Sequence, residues 1–324
     1  MTFVWQNGAG PHNATPVAPN RIPASGDPPP TGTPRRRQGD AVRRAVLGLA
    51  LLAAATPAAA QLTDTCTPGK QSNEARTMAI FDVPLAFSNA AAPALLPAGR
   101  LQAGIELSYL PKVDAAVATP TVCRPDKHGP ENTDLLFAAP RPRAWLGLPG
   151  GFVLEASWIP PIRMSDVRAN VVGVALSRVT DLKSHGLVLD LRAHASAGVV
   201  KAPITCDDAA LQDAGSPCYQ GTRSNDAFKP NILGLSAALG WGLGGTLRPY
   251  AGAGYNHLAP RFQVNFTNQF DVVDRRHVVV DLDRLVLFAG VSWSATRRLD
   301  FSGELYSAPV DAVTGRVTGR VRLR

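Results

Sequence analysis

The sequence predicts an all-β protein, a transmembrane antiparallel up-and-down β-barrel of about ten strands, and three observations lead to this prediction. First, apolar residues occupy every second position over stretches of up to thirteen residues, whereas a typical soluble strand has about 5–6 residues. Second, short turn signals alternate with long polar segments along the chain. Third, aromatic residues lie near the ends of these stretches on the apolar faces, as expected at the two interfaces of a membrane.

The first sixty of the 324 residues do not share this pattern. Residues 1–41 are rich in proline and arginine, so they are expected to be disordered, or to precede the true start if translation begins at Val42. Residues 42–60 have the order of a cleaved signal peptide: the basic pair Arg43-Arg44, an apolar run of twelve residues, and three alanines before Gln61. The alternative is a proline-rich arm ahead of a buried helix.

Charge and composition argue against a nucleic-acid partner. The chain has 33 basic and 25 acidic residues, a net charge of +8. The first sixty residues hold six arginines and two aspartates, which leaves 27 basic and 23 acidic residues and a net charge of +4. Because much of the excess lies in the leader, no nucleic acid is expected to bind. No cofactor is expected either.

All four cysteines follow the signal peptide, which suits an oxidising compartment. Cys206 and Cys218 bracket a polar loop of eleven residues, and a disulfide is predicted between them. No close spacing of ligand residues predicts a metal site. Residues 61–98 form an N-terminal extension, which must run through the barrel as a plug if Cys66 pairs with Cys123 of the first long loop. Its thirty-eight residues are long enough for that passage.

The barrel domain is predicted over residues 99–324, with six strong and four weak rows of alternating residues. The strong rows lie at 101–109, 152–158, 187–199, 233–243, 285–295 and 313–323, and the weak rows at 137–148, 167–179, 247–258 and 299–307. Tight turns are expected at 149–151, 180–185, 243–245 and 296–298, and polar loops at 112–136, 160–166, 200–229, 259–280 and 308–312. Short turns on one side and long loops on the other are typical of outer-membrane barrels, and an even strand count places both barrel ends on the periplasmic side.

The aromatic residues near the strand ends predict a girdle at each membrane interface. Four of them lie near the tight turns and three lie next to the long loops. Trp145 departs from this rule, because the register points it inward. The predicted girdle consists of Tyr109, Phe152, Trp158, Trp241, Tyr255, Trp293 and Phe301.

One local motif resembles a known family. The run Leu247-Arg248-Pro249-Tyr250-Ala251-Gly252-Ala253-Gly254-Tyr255 resembles a strand common in small bacterial outer-membrane β-barrel proteins, OmpA-like in the broad sense. The resemblance extends in pattern over roughly 100–324, and it implies an outer-membrane location. It also implies outer-membrane lipid and the barrel-assembly machinery as partners. Family members usually end in an aromatic residue that this machinery reads, whereas this sequence ends in Leu323-Arg324.

The charged residues on the inward faces form the candidate site. In one interpretation, pairs of arginine and carboxylate fill a narrow lumen. In the other, ten inward arginines face only five carboxylates, and this excess of positive charge favours small anions in a narrow pore. The filled lumen is favoured, because barrels of about eight strands are just filled by side chains. The predicted lumen network is Glu106, Arg143, Glu155, Arg168, Asp190, Arg192, His194, Arg248, Arg284, Asp300, Glu304, Arg316 and Arg320, with Arg141, Arg178 and Arg322 facing the same way.

A catalytic site is not expected. The best candidate is Asp190, Arg192 and His194 on one strand face, but positions four apart on a strand lie about 13 Å apart, so Asp190 is too far away to orient His194. The sequence therefore predicts a non-enzymatic outer-membrane protein. It is either a narrow anion-leaning pore or an envelope-structural and surface-interaction barrel, with the loop at 200–229 as the candidate for a surface ligand. The alternatives are an outer-membrane hydrolase, protease- or lipase-like, with its site at the extracellular rim, and a soluble periplasmic barrel that binds an apolar ligand.

Overall fold

The computed structural model describes residues 60–182, 186–242 and 246–323. The predicted disordered residues 1–41 and all but the last residue of the predicted signal peptide lie outside these ranges, as do the predicted turn 243–245 and residues 183–185 of the predicted turn 180–185. The described residues belong to one compact unit.

Ten long strands form the body of the protein, because their alternating residues suit a sheet with an apolar face and a polar face. The strands are β1 (Leu101–Tyr109), β2 (Ala138–Leu148), β3 (Phe152–Ile159), β4 (Val167–Asp181), β5 (Leu187–Ala202), β6 (Asn231–Trp241), β7 (Leu247–Leu258), β8 (Leu282–Ser294), β9 (Leu299–Ala308) and β10 (Ala312–Arg322).

The sheet closes on itself. Each strand pairs antiparallel with its neighbours in sequence. The last strand then pairs with the first, from Arg316 opposite Ser108 to Arg322 opposite Gln102. The predicted antiparallel barrel of ten strands is confirmed, and closure leaves none of these strands with a free edge.

The two ends of the barrel differ. At one end the connections are short, as at the turn Pro149–Gly151 between β2 and β3. At the other end the loops are long and contain the helix α2 (Ala115–Ala118) and small strands. Short turns mark the periplasmic end of outer-membrane barrels and long loops mark the extracellular end. The small strands are Gln61–Leu62, Thr65–Cys66, Arg163–Met164, Asp226–Lys229, Arg261–Gln263, Phe266–Thr267, Val273–Asp274 and His277–Val279.

The outer face of the barrel is apolar. Leu233, Leu235 and Leu285 are 63%, 64% and 60% exposed, and a protein surrounded by water would not keep so continuous an apolar wall. None of the described helices is long and apolar enough to cross a membrane. The aromatic residues named above as the girdle are all exposed on this face. Trp293 and Phe301 lie opposite each other on β8 and β9, with ring centroids 6.0 Å apart.

The residues before β1 enter the barrel from the loop end. The helix α1 (Asn73–Asp82) begins after Ser72, whose hydroxyl accepts a hydrogen bond from the Ala75 amide at 3.2 Å. Residues 83–97, here called the plug segment, then cross the lumen, and residues 83–93 are buried throughout. At the short-turn end the segment passes Gly147, where a Cβ atom would lie 2.2 Å from the Pro97 carbonyl oxygen. Only glycine leaves room for this close approach.

Candidate functional site: the lumen and its plug

The inner wall carries twelve of the thirteen residues predicted for the lumen network. Eleven of these are buried, and Arg248 is half-buried near the short-turn end. Arg168 is the exception and lies on the outer face. Trp145 also faces inward, as its register predicted, and is 4% exposed between the guanidinium groups of Arg143 and Arg320, each 5.5 Å from its ring.

A ring of charged residues holds the middle of the plug segment. The Arg143 guanidinium lies between two carboxylates, donating to Glu155 at 2.6 Å and contacting Glu106. It also donates to the Ser88 carbonyl at 2.8 Å, and Arg192 of β5 donates to the same oxygen at 2.8 Å. One backbone oxygen of the plug segment therefore accepts hydrogen bonds from two strands.

The part of the plug segment nearer the loop end is bound through its carbonyl groups. Arg141 donates to the Pro84 and Leu85 carbonyls at 3.1 and 3.0 Å. Arg316 donates to the Val83 carbonyl at 2.8 Å and contacts the Ser88 hydroxyl. Backbone carbonyls in a segment without secondary structure need partners when they are buried, and the lumen arginines supply them.

The part of the plug segment nearer the short-turn end donates hydrogen bonds to acceptors on other strands. Asn89 donates to Asp190 at 2.7 Å, and the Ala90 amide donates to Glu304 at 3.1 Å. The Ala92 amide donates to the Ser292 hydroxyl at 2.7 Å. The plug segment is thus hydrogen-bonded to strands on all sides of the lumen.

The remaining inward arginines have carboxylate partners of their own. Asp300, near the short-turn end, has Arg322 at 3.0 Å, Arg248 at 3.7 Å and Arg320 at 3.8 Å. At the loop end, Arg284 donates to Asp311 at 2.6 Å. Every inward arginine of the described strands therefore contacts a carboxylate or a carbonyl of the plug segment. This pairing favours the interpretation in which arginine–carboxylate pairs fill the lumen.

The inward assignment of Arg168 and Arg178 was wrong, and the two faces of β4 explain why. On β4 the even positions face outward, and they are apolar in the middle and polar at both ends. The odd positions are also apolar or small, because they face the plug segment: Gly173 lies directly against the Phe87 ring. With two apolar faces, periodicity alone did not distinguish inside from outside. Arg178 instead covers the outer face of the Phe152 ring, 4.9 Å from its centroid.

His194 faces an amide and an aromatic ring in the lumen. Its Nε2 atom lies 3.1 Å from the Asn256 amide oxygen, and its ring lies 6.2 Å from the Phe87 ring. A second pair, His257 and Asp283 at 3.0 Å, lies at the loop end with both side chains about half exposed. Neither histidine is hydrogen-bonded to a serine among the described residues.

The helix α1 and the long loops lie at one end of the barrel and are here called the loop domain (α1 with the loops at 110–137, 203–230 and 259–281). Cys66 is bonded to Cys123, with 5.6 Å between the Cα atoms. Cys206 is bonded to Cys218, which confirms the predicted disulfide.

Glu74 links α1 to the first loop. Its carboxylate accepts hydrogen bonds from three consecutive amides, those of Thr121, Val122 and Cys123, at 2.8, 2.6 and 2.9 Å. Burial alone would raise the pKa of Glu74, but these amides outweigh it and hold the pKa below its ordinary value. The entrance of the plug is thereby fixed by a disulfide and a charged hydrogen-bond cluster within a few residues of each other.

Asp226 organises the other two loops from inside. It accepts hydrogen bonds from the Thr205 amide at 2.6 Å, the Asn265 amide at 2.8 Å and the Ser224 hydroxyl at 2.8 Å. Burial nevertheless raises the pKa of Asp226 to about 6. This buried carboxyl group therefore changes its protonation state at about pH 6.

Sequence reasoning missed several lumen residues. Tyr250 and Tyr306 face inward: the Tyr250 hydroxyl donates to Glu304, and the Tyr306 hydroxyl accepts from the Asn256 amide. The alternation of β7 and β9 contains this signal, since both tyrosines share parity with assigned inward residues. The role of the Ser88 carbonyl could not be predicted from the sequence, because every residue carries a backbone oxygen.

No family model matches the chain, and no curated protein matches it. Among solved structures, Neisserial surface protein A is 12% identical, over 69% of this chain and 95% of that chain, with a TM-score of 0.28. Ail, the attachment invasion locus protein of Yersinia pestis, in complex with the heparin analogue sucrose octasulfate, is 9% identical over 69% and 96%, with a TM-score of 0.26. The Pseudomonas putida toluene transporter TodX is 11% identical over 82% and 78%, with a TM-score of 0.29. At these values the matches carry no argument about function.

Proposed function

We propose that this protein is a non-enzymatic barrel of the cell outer membrane, closed by its own N-terminal segment, that acts through its loop domain as an envelope-structural and surface-interaction protein. The observation that carries the proposal is the plug segment, whose carbonyl groups accept hydrogen bonds from four arginines of three strands. Export by the signal peptide, insertion by the barrel-assembly machinery and a surrounding of outer-membrane lipid are parts of the same proposal.

The energy of the lumen network supports a plug that stays in place. A hydrogen bond from a charged group contributes about 1.5–3 kcal/mol. Removal of the plug segment would leave Arg141 and Arg316 without their backbone acceptors. Breaking one side of a buried ion network costs about 3–5 kcal/mol. A lumen that opens spontaneously is therefore disfavoured.

The loop domain has the features of an interaction surface on a rigid support. Two disulfides fix its loops, and loops on a rigid scaffold commonly carry binding. Phe270, in the third long loop, is 75% exposed. Exposed aromatic side chains on an ordered loop are typical anchors for a protein partner.

Planar-bilayer recordings test the closed lumen. We expect the full protein to give no steady conductance, and a variant lacking residues 61–97 to conduct anions through a lumen lined by arginine. Retained heat-modifiable gel mobility would show that the deletion variant still folds as a barrel. Equal conductance from the full protein and the deletion variant would refute the proposal.

A narrow anion-leaning pore is the second candidate, and the short-turn end favours it. Three arginines, Arg248, Arg320 and Arg322, share the single carboxylate Asp300 there. If small anions pass, Arg320→Glu should reverse the ion preference measured from the reversal potential, whereas the outward-facing Arg178→Glu should leave it unchanged.

A further inference from the structure

The outer wall of the barrel carries a row of cations at the loop end. Arg168 of β4 lies directly opposite Lys201 of β5, and Arg163 lies opposite Arg168 on its other side. All three side chains are exposed. Side chains of directly opposed residues project on the same face, with Cβ atoms about 4.5–5.5 Å apart. The three cationic side chains therefore project next to one another on the outer face.

Few carboxylates balance this row. Arg163 lies 3.3 Å from Asp166, but Arg223 shares the same carboxylate at 2.7 Å. Within the described ranges, no carboxylate lies within ion-pair distance of Arg168, and the same holds for Lys201. Arg168 donates only to the Pro161 carbonyl, at 3.2 Å. Like charges directly opposed in a sheet are destabilising, so this arrangement calls for an anion between them.

The height of the row on the barrel identifies the kind of anion. Asn170 lies two residues from Arg168 on the same face, and its side-chain oxygen accepts a hydrogen bond from the Trp158 indole at 3.1 Å. Trp158 belongs to the aromatic girdle at the loop end, and such rings lie at the level of the lipid headgroups. Arg168 and Lys201 are therefore at or just above that level.

An apolar groove lies below the cations on the same wall. It has a volume of about 440 Å³ and is lined by Trp158, Val172 and small residues such as Ala144 and Ala156. The small residues leave a depression beneath the indole ring, on the side of the membrane interior. An acyl chain has the shape and chemistry to fill it.

We propose that Arg168 and Lys201 bind the phosphate group of an outer-leaflet lipid whose acyl chain lies in the groove below Trp158. A phosphomonoester carries close to two negative charges and several acceptor oxygens. Arginine and lysine bind such a group through short, charge-assisted hydrogen bonds. The lipid would remove the repulsion between opposed cations, and both halves of the site would be occupied by one molecule. The inference rests on the orientation in which the long loops face the cell exterior, and not on whether the lumen is closed.

Native mass spectrometry of the full chain in detergent tests the site, with phosphatidic acid, phosphatidylcholine and inorganic phosphate as probes. We expect phosphatidic acid to bind at one copy and better than phosphatidylcholine, with little binding of inorganic phosphate. Arg168→Gln and Lys201→Gln should each weaken phosphatidic acid binding about tenfold, since each removes one charge-assisted contact. Arg178→Gln is the matched control, because it removes an outward arginine at the opposite end of β4, and it should have no effect.

The other outcomes overturn the proposal. Equal weakening by Arg178→Gln would mean that outward charge alone attracts the lipid. Inorganic phosphate that binds as tightly as phosphatidic acid would assign the site to a free anion. Equal binding of the two lipids would remove the role of the phosphomonoester. The thermal unfolding of Arg168→Gln in phosphatidylcholine, expected to be unchanged or shifted upward, shows that the variant folds.

Discussion

The contact between Phe87 and Gly173 gives a quantitative test of the plug. The Phe87 side chain is 1% exposed and lies 4.8 Å from the Arg143 guanidinium. Phe87→Ala removes a buried ring and leaves a cavity, which typically costs about 3–5 kcal/mol. Gly173→Ala has the opposite defect, because its Cβ atom would lie 2.3 Å from a ring carbon of Phe87 and 2.7 Å from the Ser157 hydroxyl. Overpacking of this kind costs about 1–3 kcal/mol.

The double variant distinguishes a true contact from two unrelated defects. If the ring lies against Gly173, the new methyl group enters the space that the ring has vacated. The double variant should then be less destabilised than the sum of the single variants, by about 1–3 kcal/mol. The measurement is the free energy of unfolding in lipid vesicles by denaturant titration. Gly303→Ala is the control, since nothing lies within 4 Å of its added Cβ atom, and it should change stability little. Additive effects of the two variants would refute the placement of the plug segment.

Three further predictions concern the loop domain. Glu74→Gln weakens the cluster of amide hydrogen bonds and should speed limited proteolysis of the first long loop, whereas Asp134→Asn, which breaks an exposed ion pair with Lys112, should not. Reduction of the Cys66–Cys123 disulfide should lower the thermal stability of the loop domain, by about 2–5 kcal/mol if it behaves as other native disulfides, as measured by calorimetry. Asp226 predicts a pH dependence: its raised pKa of about 6 means that the folded state holds a proton that the unfolded state releases, so stability should fall as pH rises from about 4 to 6 and then level off. Asp226→Asn should remove this dependence, and an unchanged pH profile in that variant would contradict the assignment.

The strands could be predicted because a membrane barrel requires each strand to have an apolar outer face, so apolar residues recur at every second position. The row at 187–199 lies within the observed Leu187–Ala202, and its parity agrees with the structure because leucine and alanine alternate there with Asp190 and Arg192. β4 lacks that contrast. Its inner face meets the apolar Phe87, so both faces are apolar and the parity of Arg168 was assigned wrongly. Periodicity fails where the lumen itself is apolar.

The side chains of the candidate site could be predicted from the sequence, but the hydrogen-bond acceptors that they contact could not. Parity alone assigned Glu106, Arg143 and Glu155 to one interior cluster. The path of residues 83–97 depended on a cysteine pairing that sequence left open, and the acceptors on this segment are mainly backbone oxygens. Such acceptors cannot be recognised in a sequence. Arginines such as Arg141 and Arg316 therefore appeared as an excess of charge, although they donate hydrogen bonds to the plug segment.

Thiol labelling of the plug segment tests the central claim most directly. Ala91, in the lumen, is 3% exposed, whereas Leu95, at the short-turn end, is 52% exposed. In folded protein with both disulfides intact, Leu95→Cys should react readily with a maleimide, and Ala91→Cys should react only after unfolding. Rapid labelling of Ala91→Cys in the folded barrel would show that the segment lies outside the lumen, and the account of a closed barrel would be wrong.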